Sequence, residues 1–334
     1  MKIALRSLTP ADVEVAHRIT GAAERADAVP YVTTLEEIRE RFAAPDFDPS
    51  SDGRIALIDG EPAGVGYIEH SPSGERLEVA SLYGCVDPTM RGRGVGTALL
   101  SWQLDRGREL MAGYSHGLPC HLRTYNFVHQ TDSIALAERL GLAPIRWFDQ
   151  LARPLGDALD APVPEGIDVA PWDPGCQEEV RLVRNAAFAD HWGSTVRTQE
   201  SFAHWMDGST TRLDLSFVAR REGRVVGYSI NEHYPEDAEV TGRIDGWIAN
   251  LGVLKDERGR GIASALIAAS VEAFRRVGFD HALLDVDSAN PSNAHELYRR
   301  LGFELLQTEV ALELTVRAGA DTHSQHDGSG ESGP

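Results

Sequence analysis

The chain has 334 residues, 42% hydrophobic and 25% charged, the balance of a soluble globular protein with room for two domains of ordinary size. Its formal charge of −19 argues against a nucleic-acid partner, which requires a basic patch, and suits either plain solubility or a cationic substrate such as a free amine. Three cysteines, Cys85, Cys120 and Cys176, are odd in number and lack paired spacing, so neither disulfides nor a metal site is expected; no apolar run of about 18 residues suggests a membrane span.

In chain order, Lys2–Ser7 reads as a strand and Thr9-Pro-Ala-Asp12 as a helix start, with helices over 11–27 and 34–43. The charges of this N-terminal stretch stand where a signal peptide is apolar, which predicts a cytoplasmic protein. Pro45–Gly53 reads as a loop, and Arg54–Ile58, the turn Asp59-Gly60 and Gly64–His70 as a hairpin. A strand Leu77–Val86, a helix Val95–Met111, a strand His121–Tyr125, a helix Asp132–Leu140 and a strand Ile145–Leu151 follow. Arg153–Pro164, rich in Pro, Asp and Ala, reads as a linker.

The same order then begins again. Gly166–Ala170 is a strand, Gln177–Phe188 and Thr198–Trp205 are helices, and Phe217–Arg220 and Val225–His233 flank a Glu222-Gly223 turn. Next come a strand Ile244–Leu254, a helix ending at Val277, a strand His281–Val286, a helix Asn293–Leu301 and a strand Leu305–Leu314. The polar, glycine-rich tail from Ala318 predicts disorder.

Each series contains one glycine-rich run between an apolar strand and an amphipathic helix: Arg91-Gly-Arg-Gly94-Val-Gly96 and, 167 positions later, Arg258-Gly-Arg-Gly261-Ile-Ala263. Glycines let backbone N–H groups converge on one point, and the helix that starts there adds unpaired donors and the positive end of its dipole, which makes a phosphate cradle. A Walker loop requires Lys-Ser/Thr after the second glycine, where Ile262 stands, and the dinucleotide fingerprint places its third small residue one position later than Ala263. The remaining pattern, Arg-x-x-Gly-x-Gly/Ala, resembles the acetyl-CoA pyrophosphate loop of the GCN5-related N-acetyltransferases, the GNAT superfamily. Its occurrence twice indicates a duplicated domain.

A second motif supports the resemblance. Asn290-Pro-Ser-Asn-Ala-His-Glu-Leu-Tyr298-Arg-Arg-Leu-Gly-Phe303 is similar to the family's closing motif. The resemblance implies that Asn290 holds the CoA arm and that Tyr298 gives a proton to the departing thiolate, chemistry suited to a phenol at neutral pH. It also implies that Leu251, Gly252, Val253 and Leu254 bind thioester and pantetheine through their backbone, and that Arg258, Gly259, Arg260, Gly261, Ile262 and Ala263 cradle the pyrophosphate. For the first copy the corresponding residues are Val86, Arg91, Gly92, Arg93, Gly94, Val95 and Gly96. Aligning Leu140-Gly141 with Leu301-Gly302 puts Ala137 where Tyr298 stands, so the first copy lacks the proton donor. For the base that takes the amine proton, Glu232 and Asp245 are equal candidates, and His233 is a third.

The resemblance predicts a mixed α/β fold of two tandem GNAT units, each a mostly antiparallel sheet flanked by helices: residues 1–152, non-catalytic; a linker 153–165; residues 166–316, catalytic; and a tail 317–334. It implies acetyl transfer from acetyl-CoA to a primary amine by direct attack, with no metal, nucleic acid or membrane involved, in a monomer or homodimer. The layout resembles that of the mycothiol synthases, which acetylate the amine of a cysteinyl sugar; where these often carry a glutamate in the strand before the second loop, Trp247 and Asn250 face the expected site. Trp192 is a candidate cover for the acceptor. Two other functions fit the same residues: a CoA-responsive binding protein without turnover, and a protein N-acetyltransferase.

Overall fold

A computed structural model describes residues 2–70, 72, 76–114, 117–189, 191–192, 194–289 and 294–317. The first half runs β1 (Ile3–Ser7), α1 (Val13–Asp27), α2 (Leu35–Phe42), α3 (Pro49–Asp52), β2 (Gly53–Ile58), β3 (Glu61–His70), β4 (Glu78–Val86), α4 (Val95–Ala112), β5 (Cys120–Phe127), α5 (Thr131–Arg139) and β6 (Ala143–Pro154). The second runs β7 (Asp168–Pro171), α6 (Gln177–Ala187), α7 (Gln199–Met206), β8 (Phe217–Arg221), β9 (Arg224–His233), α8 (Ala238–Thr241), β10 (Asp245–Val253), α9 (Ile262–Val277), β11 (His281–Asp287), α10 (Ala294–Arg300) and β12 (Glu304–Arg317).

Local chemistry explains most of these elements. Thr34 and Glu37 close a capping box on α2, and Thr198 caps α7 by accepting from the Ser201 N–H. The β2–β3 and β8–β9 turns each hold two residues at positive φ, Asp59 and Gly60 at 50° and 94°, Glu222 and Gly223 at 51° and 80°, the backbone that matches strand twist in a two-residue hairpin. Two short helices, α3 and α8, occupy stretches that carry no helical periodicity; Pro49 and the Asp48 side chain start the first of them.

All twelve strands join one sheet in the order β1-β2-β3-β4-β5-β12-β6-β11-β10-β9-β8-β7. Among the described residues, only β4–β5 and β10–β11 are parallel. The two halves exchange their last strands: β12 pairs with β5 of the first half, and β6 pairs with β11 of the second. Arg153 therefore does not start a linker. It lies in β6, opposite Ala282, and its Nε donates to the Leu301 carbonyl at 2.8 Å.

Strand alternation sorts the helices onto two faces. Leu104 and Met111 of α4 pack on Leu122, Val310 and Leu312, while Val271 and Phe274 of α9 pack on Ile248, Leu284 and Leu151 of the same face. On the opposite face Ala16 and Ile19 of α1 meet Ile55 and Val65, and Val183 of α6 and Phe202 of α7 meet Val218 and Ile230. Full burial of a side chain such as Phe274, Leu266 or Phe202 stabilises the fold by roughly 1.5–3 kcal/mol each. Contacts between the halves also form on this second face, where the Val32 N–H donates to Asp237 at 2.8 Å and the Ser209 N–H to Glu40 at 2.9 Å. Among the described residues no helix is long and apolar enough to cross a membrane.

Candidate active site

Each half opens where its parallel pair comes apart. β4 and β5 pair from Glu78↔Cys120 to Ser81↔Arg123, and β10 and β11 from Asp245↔His281 to Trp247↔Leu283; beyond those residues the strands diverge. β4 keeps regular register with β3 throughout. β10 does not: its pairing with β9 slips between Ile248 and Asn250, a bulge at Ala249 beside the opening. The slip is held in place by Tyr228, which is fully buried and donates its hydroxyl to the Asn250 side-chain oxygen. A Cβ on Gly252 would stand 2.5 Å from the Tyr228 ring, so only glycine leaves the ring its seat. Leu251, Gly252, Val253 and Leu254 thus run along β10 and out of it at the open edge, as does Val86 at the end of β4.

The two glycine runs have nearly the same shape. Gly92 and Gly94 take φ of 71° and 84°, Gly259 and Gly261 of 75° and 84°, and the second glycine of each pair is the N-cap of the following helix, α4 starting at Val95 and α9 at Ile262. A Cβ at Gly92 or Gly259 would meet no protein atom within 4 Å, so both loops face open space. Backbone N–H groups at these helix starts, those of Ile262 and Ala263 and of Val95 and Gly96, fit an anionic phosphate group. The arginines brace the loops. Arg258 donates to the Val253 and Ala187 carbonyls at 3.1 and 2.6 Å, tying β10 to the end of α6. Arg91 donates to the Val86 carbonyl at 3.3 Å and forks onto Asp27 of α1. Arg260 pairs with Glu257, and Arg93 lies against the Met90 sulfur.

Tyr298 projects from α10 into the cluster that holds Ile248, Leu251 and Phe303, with its ring 6.0 Å from that of Phe303. Its hydroxyl bonds to none of the described residues, and burial pushes its pKa up to about 12, so the phenol keeps its proton at neutral pH. Asn290 lies outside the described residues. In the first half the matching place on α5 is filled by Ala137, buried against Leu142.

The carboxylates differ in what holds them. Glu232 ends β9 directly opposite Trp247, is 8% exposed, and accepts from Trp205 Nε1 at 2.7 Å and the Tyr234 hydroxyl at 2.5 Å; no ion-pair partner is present among the described residues. Asp245 is paired with Arg243 at 2.9 Å, with His281 Nδ1 at 3.4 Å. His233 bonds the Asp245 carbonyl and stacks on Phe279. Trp247 packs edge-on to Tyr234, and Trp192 lies over Arg123, reaching from the second half onto a strand of the first.

Two further carboxyls on this face carry no signal in a pattern of motifs. Asp285, two residues beyond Leu283 on β11, is exposed at the mouth of the opening, and partial desolvation by the walls of the cleft pushes its pKa up to about 6. Glu309 of β12, beside Phe148 and Phe127, is pushed up to about 7 by burial and by the charge of Asp285. A lone acid inside the apolar run of β11 hints at the first; the neighbours of Glu309 come from strand exchange and lie far away in sequence.

The Acetyltransferase (GNAT) family profile matches residues 21–142 and again residues 179–303. A mycothiol acetyltransferase from Thermobispora bispora is 33% identical over 313 residues, which cover 90% of this chain and 96% of that protein. Among solved structures, a GCN5-related N-acetyltransferase from Sphaerobacter thermophilus has a TM-score of 0.71 at 26% identity, covering 96% of this chain and 97% of that one. A tandem GNAT protein from the clavulanic acid biosynthesis pathway shares the fold, with a TM-score of 0.69 at 17% identity over 96% of this chain and 100% of its own. Two family matches, each spanning a splayed parallel pair and its glycine cradle, place the chain in the GNAT family as a tandem N-acetyltransferase.

Proposed function

We propose that the chain moves an acetyl group from acetyl-CoA, the co-substrate of GNAT acetyltransferases, to the primary amine of a small molecule, with the chemistry at the opening between β10 and β11. One observation carries this: Tyr298, the β10 bulge and Glu232, a carboxylate with no cation partner among the described residues, all belong to the second half. The catalytic unit is residues 166–316 completed by β6, and residues 1–152 supply that strand and one wall of the acceptor cleft.

In this mechanism the pyrophosphate lies on the Gly259–Ala263 cradle and the thioester beside Leu251–Leu254. Glu232 takes a proton from the incoming ammonium, so that nitrogen attacks with a free electron pair. Backbone N–H groups past the bulge stabilise the oxyanion. As the tetrahedral carbon collapses, its bond to sulfur breaks, Tyr298 protonates the leaving thiolate, and the extra proton left on the amide nitrogen passes back to the phenolate. Asp245 is paired with Arg243 and His281 and positions β10. The first acceptor to test is a cysteinyl amino sugar, because a relative 33% identical to this chain is named a mycothiol acetyltransferase.

The test is release of CoA thiol over a panel of amines, amino sugars and peptides, with wild type beside Tyr298→Phe. Turnover of a small amine that falls tenfold or more in the variant is the expected result. Tight acetyl-CoA binding with no turnover of any acceptor would replace this proposal with a CoA-responsive binding protein, and preference for peptides with a protein acetyltransferase.

A further inference from the structure

The strand exchange builds a floor that neither half has alone. β5, β12, β6 and β11 lie side by side, and on the face that carries α1, α2, α6 and α7 they present Tyr125, Glu309, Phe148, Gln150 and Asp285. Counted from the last paired residue of each opening, Arg123 and Leu283, Tyr125 and Asp285 hold the same place. The first half thus closes its mouth with a ring that packs on Phe148 at 6.0 Å, whereas the second places a carboxyl there.

The charges on this floor do not balance locally. Arg146 is held by Asp287 at 2.7 Å and Arg123 by Glu313 at 2.5 Å. Asp285 has only the weak contact of the Gln150 amide at 3.5 Å, and Gln150 is itself bonded by Gln307. Neither Asp285 nor Glu309 meets a cation among the described residues. The walls are aromatic: Tyr31 of the first half stands 6.1 Å from Phe127, and Trp192 of the second 5.9 Å from Phe148. Carboxylates framed by ring faces are the standard environment for an ammonium group.

An independent observation points to the rest of the ligand. Arg123 is 2% exposed and faces the same side as Tyr125, under the Trp192 ring, yet its buried Nη1 has no hydrogen-bond partner among the described residues. A buried donor without an acceptor is costly, and an oxygen of a bound molecule resolves it.

We propose that Asp285 and Glu309 form the acceptor subsite, binding the ammonium of a primary amine at the mouth of the β10–β11 opening while Arg123 takes a hydroxyl or carbonyl oxygen of the same molecule. This rests on the function proposed above and narrows its substrate class to oxygen-bearing primary amines, presented to Glu232. The chemistry stays with Glu232 and Tyr298; Asp285 and Glu309 are binding groups. The other titratable groups around them are Asp287, Glu313, Arg123 and Arg146, already paired, with Tyr31, Tyr125 and His191 on the walls. Amine binding therefore strengthens as pH rises through the range from about 6 to about 7 in which the two carboxyls ionise.

The test uses the full chain saturated with CoA and titrated calorimetrically with glucosamine, which joins an ammonium to hydroxyls, and with N-acetylglucosamine, which lacks the charge. Asp285→Asn and Glu309→Gln each weaken glucosamine binding about tenfold or more and leave CoA binding unchanged, while the uncharged sugar binds poorly to all three proteins. Unchanged glucosamine affinity in variants that melt normally overturns the subsite, as does a wild type that binds both sugars alike. Thiol release is read separately: glucosamine bound through these carboxyls but never acetylated, with no other amine turned over, upholds the subsite and sinks the catalytic proposal.

Discussion

In both halves a glycine at φ 84° caps the cradle helix and an arginine braces the loop to the strand before it, yet the carboxylates that close the neighbouring strands meet opposite surroundings. β3 ends in Glu69-His70 and β9 in Glu232-His233. Glu69 pairs with Arg41 at 3.3 Å, and that guanidinium also bonds the Tyr67 hydroxyl and lies over the stacked rings of Tyr67 and Tyr83. Among the described residues, Glu232 meets only neutral donors, Trp205 and Tyr234. Glu69 is held by a cation, whereas an indole and a phenol hold Glu232 by hydrogen bonds alone. Ala137 against Tyr298, Tyr125 against Asp285 and a regular β4 against a bulged β10 repeat the contrast. The two halves share the glycine cradle and its bracing arginine, and differ in the residues proposed above to move protons.

The comparison breaks most visibly at the carboxylates. Glu232→Gln lowers kcat/KM for the amine by about 10²-fold or more, in line with loss of a general base, whereas Glu69→Gln leaves it within about twofold. Equal losses from the two variants would show that Glu232 acts through the fold. Substitution at the cradles sharpens the point. Gly94→Ala and Gly261→Ala each force a side chain into left-handed backbone and cost about 1–2 kcal/mol in denaturant unfolding, but only Gly261→Ala raises the KM for acetyl-CoA, by about tenfold. A matching rise from Gly94→Ala would move catalysis to both halves.

The smallest effect concerns stability. Partial desolvation in the cleft holds the exposed Asp285 at about 6, and desolvation together with the Asp285 charge holds the half-buried Glu309 at about 7, above the values of an unfolded chain, so their ionised forms oppose folding. That opposition is absent at acid pH and complete above about 7. Glu309→Gln therefore leaves unfolding stability unchanged near pH 4 and raises it at pH 8, by about 1 kcal/mol after solvent screening, with a smaller gain from Asp285→Asn because that side chain is exposed. Tyr125, the uncharged counterpart, predicts no such pH-dependent gain for Tyr125→Phe.

Periodicity and turn chemistry were enough to read nearly all the elements, because each depends on neighbours a few residues away: the two positive-φ hairpin turns, the capped helices, the glycine N-caps. The short helices α3 and α8 escaped, being too brief for any period to register. The arginines of the cradle were legible as residues but not in their role, since Ala187 and Asp27, which receive them, lie 71 and 64 positions away.

By itself the sequence determined that two copies of one strand–cradle–helix unit exist and that Tyr298 has no counterpart in the first, for these depend on residue type at fixed local spacing. The tertiary structure alone decided which strand completes which half. β6 and β12 have interchangeable edges, and backbone hydrogen bonding carries no information about which chain segment supplies the partner. Packing of whole halves settles that choice, and with it the floor of β5, β12, β6 and β11 that carries Arg123, Glu309 and Asp285 on one face.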